Sequence, residues 1–594
     1  MNHVRRRAGL LAVLATALLV ALAGCGGLPT DDSPRAGRPV LSEPLQVIQV
    51  RPDGPSENAT PEQIVRGFLL ANVSFADGHE VARAYLTDDL ASSWVPTDNV
   101  VIHTGEPELR VSSEGVIRAR VPVQGLLNDG GELSELPSGT TRSEEFALTR
   151  IDDEWRISEF PEDFGLWLSA SAFEAQYRSA AVNYLSTLED AFVPDYRWFS
   201  RDDGLPTALA RALLAPVPEY LTGAVRTGTA EGTNLVAGAV PLDPATGIAT
   251  VNLQGPGLTE EPDQVRDIYA TFTSTLAQAA GVQSVEIQVN GQPLEAPGVS
   301  GPVGSAEDLG FALTRNGPEY AVLRVAESLT AVDPDDYALR NVSSEEQSEL
   351  ALPDVEARWV DLGMNVAATE FAAVNSDRDV LWRRSGDSEP IERTDIGEGL
   401  TSPAFDGFGS LWVAGRSATG ARVWTIDTRG GGKSLATPLK ADWLEAQMSI
   451  DAIAVAPGGH RAAVVISEDG EQRLALTGVT RDQEGRPIGL TTPAAVAPTV
   501  ETVTGVTWAS QDSLAVLGQR SDDEQDTPYL LPVGGWLQPL QVQSGATDLL
   551  GVPTESGFDL FLITNEGRVY TPEGAGWYTY RNADDLIVPA GSSQ

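Results

Sequence analysis

The chain of 594 residues is 42% hydrophobic and 21% charged, which excludes a wholly disordered protein because disorder requires a low apolar content. Its 84 acidic and 40 basic residues give a net charge of −44, and such a surface repels the phosphates of nucleic acids. One cysteine and four histidines exclude a Cys/His zinc site, an iron–sulfur cluster and a disulfide framework. The length predicts about three domains, and the composition favours a function based on surfaces over one based on catalysis.

Residues 1–24 have the order of a secretory signal peptide. Three arginines at 5–7 precede an apolar run over 8–23, which is too short to span a bilayer. The run ends in Leu-Ala-Gly24-Cys25, which resembles the lipobox of bacterial lipoproteins. We therefore predict cleavage between Gly24 and Cys25 and modification of Cys25 to N-palmitoyl, S-diacylglycerol cysteine. The alternative is an ordinary cleaved signal with a chance cysteine.

Residues 25–59 are predicted to join the lipid to the folded body. They are rich in Gly, Pro, Ser and Asp, a composition typical of a flexible linker, and Leu45–Val50 is a candidate edge strand within it. No later segment reaches the roughly eighteen consecutive apolar residues of a membrane-spanning helix. We therefore expect the lipid alone to hold the chain on the extracytoplasmic face of the cell membrane.

The segment 60–176 begins with helical signals and continues with strands. Thr60 and Gln63 have the spacing of a capping box, which predicts a helix start. Alternation over 117–123 predicts a half-buried strand, and the acidic turn at 152–154 predicts a hairpin. Two helices followed by a curved antiparallel sheet resemble the NTF2-like cone fold. We expect its interior to be a filled core and not a ligand pocket, since no convergent acid–base set is visible.

The segment 177–298 mixes strands and helices. Helical periodicity covers 263–280 and stops at Gly281, and Asn290-Gly291 predicts a hairpin turn. With the phrases FVPDYRWF, ALARALLAP and GVQSVEIQVNGQPL, the segment resembles the GerMN module named from spore-germination proteins. That module is regarded as a binding or assembly unit, so the resemblance implies no catalytic residue.

The segment 299–594 is strand-rich, with a turn every 8 to 12 residues or so. A unit of strand, polar turn and strand recurs with a mean spacing of about 48 residues, in the range of one four-stranded propeller blade. The residues taken as equivalent are Leu313, Val374, Phe405, Val455, Trp508 and Val552. We therefore predict an all-β propeller of about six blades after an α+β N-terminal half. An array of β-sandwiches is the alternative.

The order of lipobox, cone-like, GerMN-like and propeller segments resembles the LpqB family of actinobacterial lipoproteins across essentially the whole chain. The resemblance implies an accessory role in a two-component system. The expected partner is the extracellular domain of an MtrB-like sensor histidine kinase, with an influence on cell-envelope and division homeostasis. Cys25 is the one functional residue that the resemblance carries over.

Enzymatic activity is not expected, and neither a catalytic residue, a cofactor nor a metal ion is predicted. The chain lacks a G-x-S-x-G elbow, and His460, in the turn 458–461, is expected to be exposed to solvent. The alternative is a binder of cell-wall glycans or peptides, or a hydrolase with a carboxylate pair on the propeller face. Two carboxylates about 5 to 10 Å apart in one deep pocket would favour the hydrolase.

Overall fold

The structure is a computed structural model, and it describes the chain from Pro52 onward with short gaps. The described residues are 52–75, 78–97, 99–202, 204–258, 261–313, 320–332, 352–554, 557–573 and 576–590. The predicted signal peptide, Gly24, Cys25 and the candidate strand Leu45–Val50 lie outside them. Among the described residues, no helix is long and apolar enough to cross a membrane.

Three helices open the N-terminal part: α1 Pro61–Ala71, α2 Glu80–Arg83 and α3 Asp88–Ser93. The predicted capping box is confirmed, because the Thr60 hydroxyl accepts from the Gln63 N–H and the Gln63 side chain accepts from the Thr60 N–H. Both bonds satisfy N–H groups that a helix start leaves without intrahelical partners. The apolar face of α1 is thereby fixed against the sheet that follows.

The N-terminal sheet has the order β6-β5-β3-β1-β7, with β2 and β4 also paired to β3. Its strands are β1 Asn99–His103, β2 Glu108–Ser113, β3 Val116–Asn128, β4 Leu133–Glu135, β5 Thr141–Ile151, β6 Glu154–Glu159 and β7 Leu166–Ser169. The predicted alternation in β3 is confirmed by its burial pattern, and the predicted hairpin is confirmed by the antiparallel pairing of β5 with β6.

Aromatic rings fill the space between α1 and this sheet. The Phe68 ring centroid lies 5.3 Å from that of Trp94, 6.2 Å from that of Phe146, and 5.9 Å from those of Phe160 and Phe164. Rings at these separations attract one another beyond the burial of their area. The side chains thus occupy the interior that a ligand would need.

The middle part combines two small sheets with two helices, after the connecting helix α4 Ala170–Gln176. One sheet has the order β10-β8-β9-β15 and the other β11-β12-β13-β14. The elements are β8 Tyr177–Ser186, β9 Ala191–Ser200, α5 Leu205–Leu214, β10 Val225–Arg226, β11 Asn234–Leu235, β12 Ile248–Gln254, α6 Pro262–Leu276, β13 Ser284–Val289, β14 Gln292–Pro293 and β15 Ala312–Leu313. The predicted hairpin at Asn290-Gly291 is confirmed by the pairing of β13 with β14.

The C-terminal part is built of antiparallel sheets, which we number 1 to 6 along the chain. Sheet 1 contains β16 Ala321–Val325 and β17 Ser328–Val332; sheet 2, β18 Trp359–Met364, β19 Glu370–Asn375, β20 Leu381–Ser385 and β21 Ile391–Arg393; sheet 3, β22 Ala404–Phe405, β23 Ser410–Ser417, β24 Gly420–Asp427 and β25 Thr437–Pro438; sheet 4, β26 Ser449–Val455, β27 Arg461–Glu468, β28 Glu471–Arg481, β29 Pro487–Leu490 and β30 Ala494–Ala495; sheet 5, β31 Thr502–Ser510, β32 Ser513–Gln519, β33 Thr527–Pro532 and β34 Gln538–Pro539; sheet 6, β35 Ala546–Thr554, β36 Gly557–Thr564, β37 Arg568–Glu573 and β38 Gly576–Asn582. The last strand, β39 Asp585–Ile587, pairs with β16 and so returns to sheet 1.

Apolar side chains pack between each sheet and the next in this propeller-like part. Separate buried clusters join sheets 1 and 2, 2 and 3, 3 and 4, 4 and 5, and 5 and 6. A further cluster joins sheet 6 back to sheet 1, with Phe561 and Leu323 among its members. The packing therefore closes on itself, and the return of β39 to sheet 1 links the two ends of this part by backbone hydrogen bonds.

Two of the residues taken as equivalent in the sequence do not occupy equivalent places. Leu313 lies in β15 and pairs with Phe192 of the middle part, so it belongs to no sheet of the C-terminal part. Val374 lies in the second strand of sheet 2, whereas Val455 lies in the first strand of sheet 4. The prediction was wrong at Leu313 because the innermost strand of sheet 1 comes from the far end of the chain. It was wrong at Val374 because β18 precedes the strand of Val374 as the first strand of sheet 2.

Candidate functional site

The first strand of each of sheets 2 to 6, together with β39 of sheet 1, surrounds a cavity of about 720 Å³. A volume of this size is in the range of ligand pockets. Side chains from all of these strands line the cavity, including Asp361, Phe405, Ile453, Val506, Asp548 and Asp585. The axis of the C-terminal part is thus the candidate functional site.

A β-bulge recurs near the start of the inner strands. The pairing of β18 skips Asp361 and Leu362, that of β26 skips Asp451, that of β31 skips Thr504, and that of β35 skips Thr547. A bulge leaves a residue out of the ladder and changes the direction of its side chain. The residues at each bulge line the cavity. The same irregularity of strand pairing therefore shapes the cavity wall in sheets 2, 4, 5 and 6.

One end of the cavity opens to solvent, and we call it the mouth. Its exposed lining residues are Ala326, Ala357, Ser402, Asp451, Thr504, Thr547 and Asp584. The other end is lined by Ala456, which directly follows β26, and by Trp508, which lies near the end of β31. There the Arg461 guanidinium lies 5.4 Å from the Trp508 ring and donates to the Pro194 carbonyl of the middle part at 2.9 Å. The middle part therefore covers the end away from the mouth.

Two carboxylates of the cavity wall, Asp548 and Asp585, are partly buried. Oδ1 of Asp548 accepts from the Leu549 N–H at 3.1 Å, and Oδ1 of Asp585 accepts from the Leu586 N–H at 2.8 Å. Burial raises the pKa of Asp548 to about 7. Burial, and then the nearby charge of Asp548, raise the pKa of Asp585 to about 7. The two groups interact, and each disfavours ionisation of the other.

The arginines of the wall are engaged elsewhere. Arg324 donates to the backbone carbonyls of Ala326, Trp359, Val355 and Glu356, at 2.6 to 3.3 Å. Arg378 pairs with Asp361 and donates to the Leu400 carbonyl at 2.9 Å. Neither arginine forms an ion pair with Asp548 or Asp585, although the charge of Arg324 lowers the pKa of Asp585 against the larger effect of burial.

The middle part is fastened to sheet 5 and its surroundings by polar contacts. The Trp198 indole N–H donates to the Gly534 carbonyl at 2.8 Å, and the Tyr196 hydroxyl donates to Asp512 at 2.9 Å. The Thr491 hydroxyl donates to the Tyr220 carbonyl at 2.6 Å. Buried hydrogen bonds of this kind fix one orientation because an unmade bond is costly.

The N-terminal part contacts the same region of the C-terminal part at two points. It packs against the ring of Trp536, and its Glu135 accepts a hydrogen bond. The Trp536 ring packs 6.3 Å from the Phe173 ring, and a Cβ on Gly125 would come within 2.6 Å of it. Glu135 accepts from the Leu537 N–H at 3.0 Å. Glycine at 125 thus permits a close approach that any side chain would block. The three parts form one interlocked body.

His460 is buried, contrary to the expectation of a solvent-exposed turn. It is 3% exposed, its ring lies 5.9 Å from that of Phe408, and the neighbouring Arg461 is held against Pro194. Burial, with the charges of Arg481 and Arg461, lowers its pKa to about 3. The prediction was wrong because the middle part covers this turn, and the neutral imidazole serves packing.

The convergence of these carboxylates on one cavity was not predicted from the sequence. Three aspartates of the wall nevertheless recur at nearly equal intervals along the chain. Asp361, Asp451 and Asp548 are 90 and 97 residues apart, close to two of the predicted blade periods. Each stands on an inner strand beside or within a bulge. An alignment on these aspartates in place of apolar residues would have placed them at one level of the wall.

Three family descriptions match the chain. "Lipoprotein LpqB, N-terminal domain" matches residues 54–174, and "Sporulation and spore germination" matches residues 179–295. "Lipoprotein LpqB beta-propeller domain" matches residues 355–590. The matched ranges follow the order of the N-terminal, middle and C-terminal parts described above.

Whole-chain relatives carry the same description. The chain is 27% identical over 587 residues to "Lipoprotein LpqB" of Cutibacterium acnes, with 94% of each chain covered. It is 27% identical over 636 residues to "Lipoprotein LpqB" of Thermobifida fusca, covering 97% of this chain and 96% of the relative. It is 25% identical over 601 residues to "Lipoprotein LpqB" of Mycobacterium tuberculosis, with 96% of each covered.

Proposed function

Because the chain belongs to the LpqB family of lipoproteins, we propose that it is a lipid-anchored accessory protein that binds another protein of the cell envelope. It acts on the extracytoplasmic face of the membrane, held there through Cys25. The observation that carries the binding role is the junction at Trp198 and Trp536, which holds three parts as one body. A body of this kind presents a fixed surface to a partner, and a fixed surface loses little entropy on binding.

The proposed partner is the extracellular domain of an MtrB-like sensor histidine kinase, and the proposed role is to modulate its signalling and thereby envelope and division homeostasis. This part rests on the family resemblance. It is supported by the length of the predicted linker, residues 25–59, since a flexible chain of that length spans a few tens of ångströms on average. The extracellular domain of a membrane-embedded kinase would lie within that reach.

Several details of the fold belong to the same proposal. The six sheets are taken as six blades of a closed propeller, since apolar clusters join sheet 6 to sheet 1. The N-terminal part is taken as an NTF2-like cone over 60–176, followed by the GerMN-like domain over 177–298 and the propeller over 299–594. The pairing of β15 with β9 attaches the start of the propeller segment to the middle sheet.

Cys25→Ala is expected to abolish membrane attachment, because no other thiol exists to accept the diacylglyceryl group. The measurement is fractionation after a high-salt wash, with mass spectrometry of the N-terminal peptide. Ser33→Ala in the same linker is the control and should remain with the membrane. A Cys25→Ala protein that stays in the washed membrane fraction would contradict the lipid anchor.

Kinase binding is expected to depend on the shared membrane. Tethering converts association into an effectively intramolecular step, which raises apparent affinity about 10²- to 10⁴-fold. The lipidated chain in a nanodisc with the kinase should therefore bind its ectodomain far more tightly than the Cys25→Ala chain does in dilute solution. Crosslinking in nanodiscs and calorimetry in solution measure the two cases. Absence of binding in the nanodisc would reject the partner, and equal affinity in both would reject the role of the tether.

The second candidate is a cell-wall glycan or peptide binder, or a carboxylate-based hydrolase, favoured by the occurrence of Asp548 and Asp585 in one cavity. A hydrolase of this kind would also need one carboxyl to act as an acid and the other as a base or nucleophile on a bound substrate. Release of fragments from purified peptidoglycan, lost in the Asp548→Asn/Asp585→Asn double variant, would establish the hydrolase instead.

A further inference from the structure

The described wall of the cavity in the C-terminal part contains six aspartates and two arginines, so carboxylates are in excess there. Asp548 and Asp585 line the cavity wall, and their Oδ2 atoms accept no hydrogen bond from any described residue. Burying a carboxylate without a partner is unfavourable. Two such groups facing one water-accessible space indicate that the space serves a ligand and not the stability of the fold.

The charged groups nearby relieve this imbalance only in part. The Arg324 guanidinium donates to four neutral backbone carbonyls, and its charge lowers the pKa of Asp585 without outweighing the effect of burial. Arg378 is paired with Asp361. At the mouth, Asp451 accepts from Ser449, Ser467 and Gln472, and Asp584 accepts from the Ala326 N–H. A positive group entering the mouth therefore meets several carboxylates, against Arg324 as the one arginine of the described wall that has no ion-pair partner.

The remaining wall is apolar below the level of the carboxylates. Ile453, Val506 and Leu550 are buried and line the same cavity two residues further along their strands than Asp451, Thr504 and Asp548. A band of carboxylates next to a band of aliphatic side chains suits a ligand with a charged end and a methylene chain. Hydrogen bonds to ionised groups fix its orientation, and apolar contact adds affinity.

We propose that this cavity binds an organic cation, an alkylammonium or alkylguanidinium group, through Asp548 and Asp585. The alkyl chain of the ligand enters the cavity by the mouth. Its methylene groups contact the aliphatic band of the wall. A metal ion fits the wall less well, because the described residues contain no group of three or more His, Cys, Asp or Glu side chains placed to hold one. The inference is independent of the kinase partner.

Two sources share this chemistry: a free diamine, and the lysine or arginine side chain of a peptide. Calorimetry of the full folded body at pH 8 with 1,5-diaminopentane and with acetyl-Gly-Lys-Gly-amide separates them. Binding of the diamine alone assigns a small-molecule ligand, and binding of the peptide assigns a protein or peptide ligand. The uncharged 1,5-pentanediol should not bind in either case. Failure of both cations to bind would overturn the proposal.

Variants locate the binding. Asp548→Asn and Asp585→Asn should each weaken binding at least tenfold, whereas Asp522→Asn, at an exposed position of the same part, should leave it unchanged. Thermal unfolding verifies that each variant folds. Thr547→Trp, at the exposed mouth, is a second route, since its ring should obstruct entry and lower affinity with the carboxylates intact. Equal binding by the wild type and the Asp548→Asn/Asp585→Asn variant, or binding of calcium chloride but of neither organic cation, would refute the site.

Discussion

Replacing Arg481 by methionine is expected to destabilise the C-terminal part by about 3–5 kcal/mol, because it removes one partner of a fully buried ion pair. The Arg481 guanidinium lies 2.8 Å from the Asp406 carboxylate, and both side chains are 0% exposed. The remaining aspartate would stay in the core with its charge uncompensated. The free energy of unfolding, from chemical denaturation followed by tryptophan fluorescence, measures the loss.

The surroundings explain why no other group replaces the arginine. Asp406 also accepts from the Ser410 N–H at 2.8 Å and the Trp412 indole N–H at 2.9 Å, but these donors are neutral. Arg481 donates to the carbonyls of Gly459 and Gly485, both at 2.8 Å. The pair thus joins the first turn of sheet 3 to sheet 4, and its loss leaves several buried polar groups without partners.

An exposed pair in sheet 4 provides the matched control. Arg486 lies 2.8 Å from Asp482, and its side chain is 53% exposed. Surface pairs contribute about 0–1 kcal/mol, so Arg486→Met should change the unfolding free energy by no more than that. Equal effects of the two substitutions would show that burial of the Asp406–Arg481 pair does not govern its contribution.

Local signals were sufficient to predict much of the first half of the fold. The capping box at Thr60, the alternation in β3 and the Asn290-Gly291 turn depend on neighbouring residues, and the structure confirms each of them. The helix predicted over 263–280 ends earlier, at Leu276. There the Gln278 side chain makes two hydrogen bonds with the backbone of Ala181, a tertiary contact that periodicity does not contain.

Long-range pairing explains what the sequence could not indicate in the second half. β39 reaches sheet 1 from the end of the chain, so the period of the repeat is interrupted at its first unit. The bulges at Asp451 and Thr547 are likewise set by pairing with the neighbouring strand. The pattern of apolar residues therefore predicted the mean length of the repeat. It did not predict which strand of each sheet a given residue occupies.

The candidate site depends on the same long-range closure. Asp548 and Asp585 stand on β35 and β39, which are brought together when the ring of sheets closes. The sequence identified carboxylates as the available chemistry, but which of 84 acidic residues converge is decided by the closed ring. Their enclosure is a consequence of tertiary structure, and it has a measurable effect on stability.

Asp548→Asn is expected to stabilise the protein at high pH and to leave its stability unchanged near pH 4. Burial raises the pKa of Asp548 to about 7, whereas an unfolded aspartate titrates near 3.9 or so. Between these values the folded state retains a proton that the unfolded state has lost. The free energy of unfolding of the wild type therefore falls as pH rises from about 4 to about 7. Above that range, the contribution of Asp548 to it no longer changes with pH.

The asparagine removes this titration while its amide oxygen can still accept from the Leu549 N–H. The difference in unfolding free energy between Asp548→Asn and wild type should thus grow from zero near pH 4 to a plateau above pH 7. One pKa unit corresponds to 1.36 kcal/mol, so the plateau is at most about 4 kcal/mol. Denaturation at several pH values measures the curve, and Asp522→Asn should give a flat one. A difference that is constant with pH, or that shrinks as pH rises, would contradict the raised pKa of Asp548. It would thereby also contradict the burial of this side chain in the wall that the six sheets form, since burial is the cause of the raised pKa.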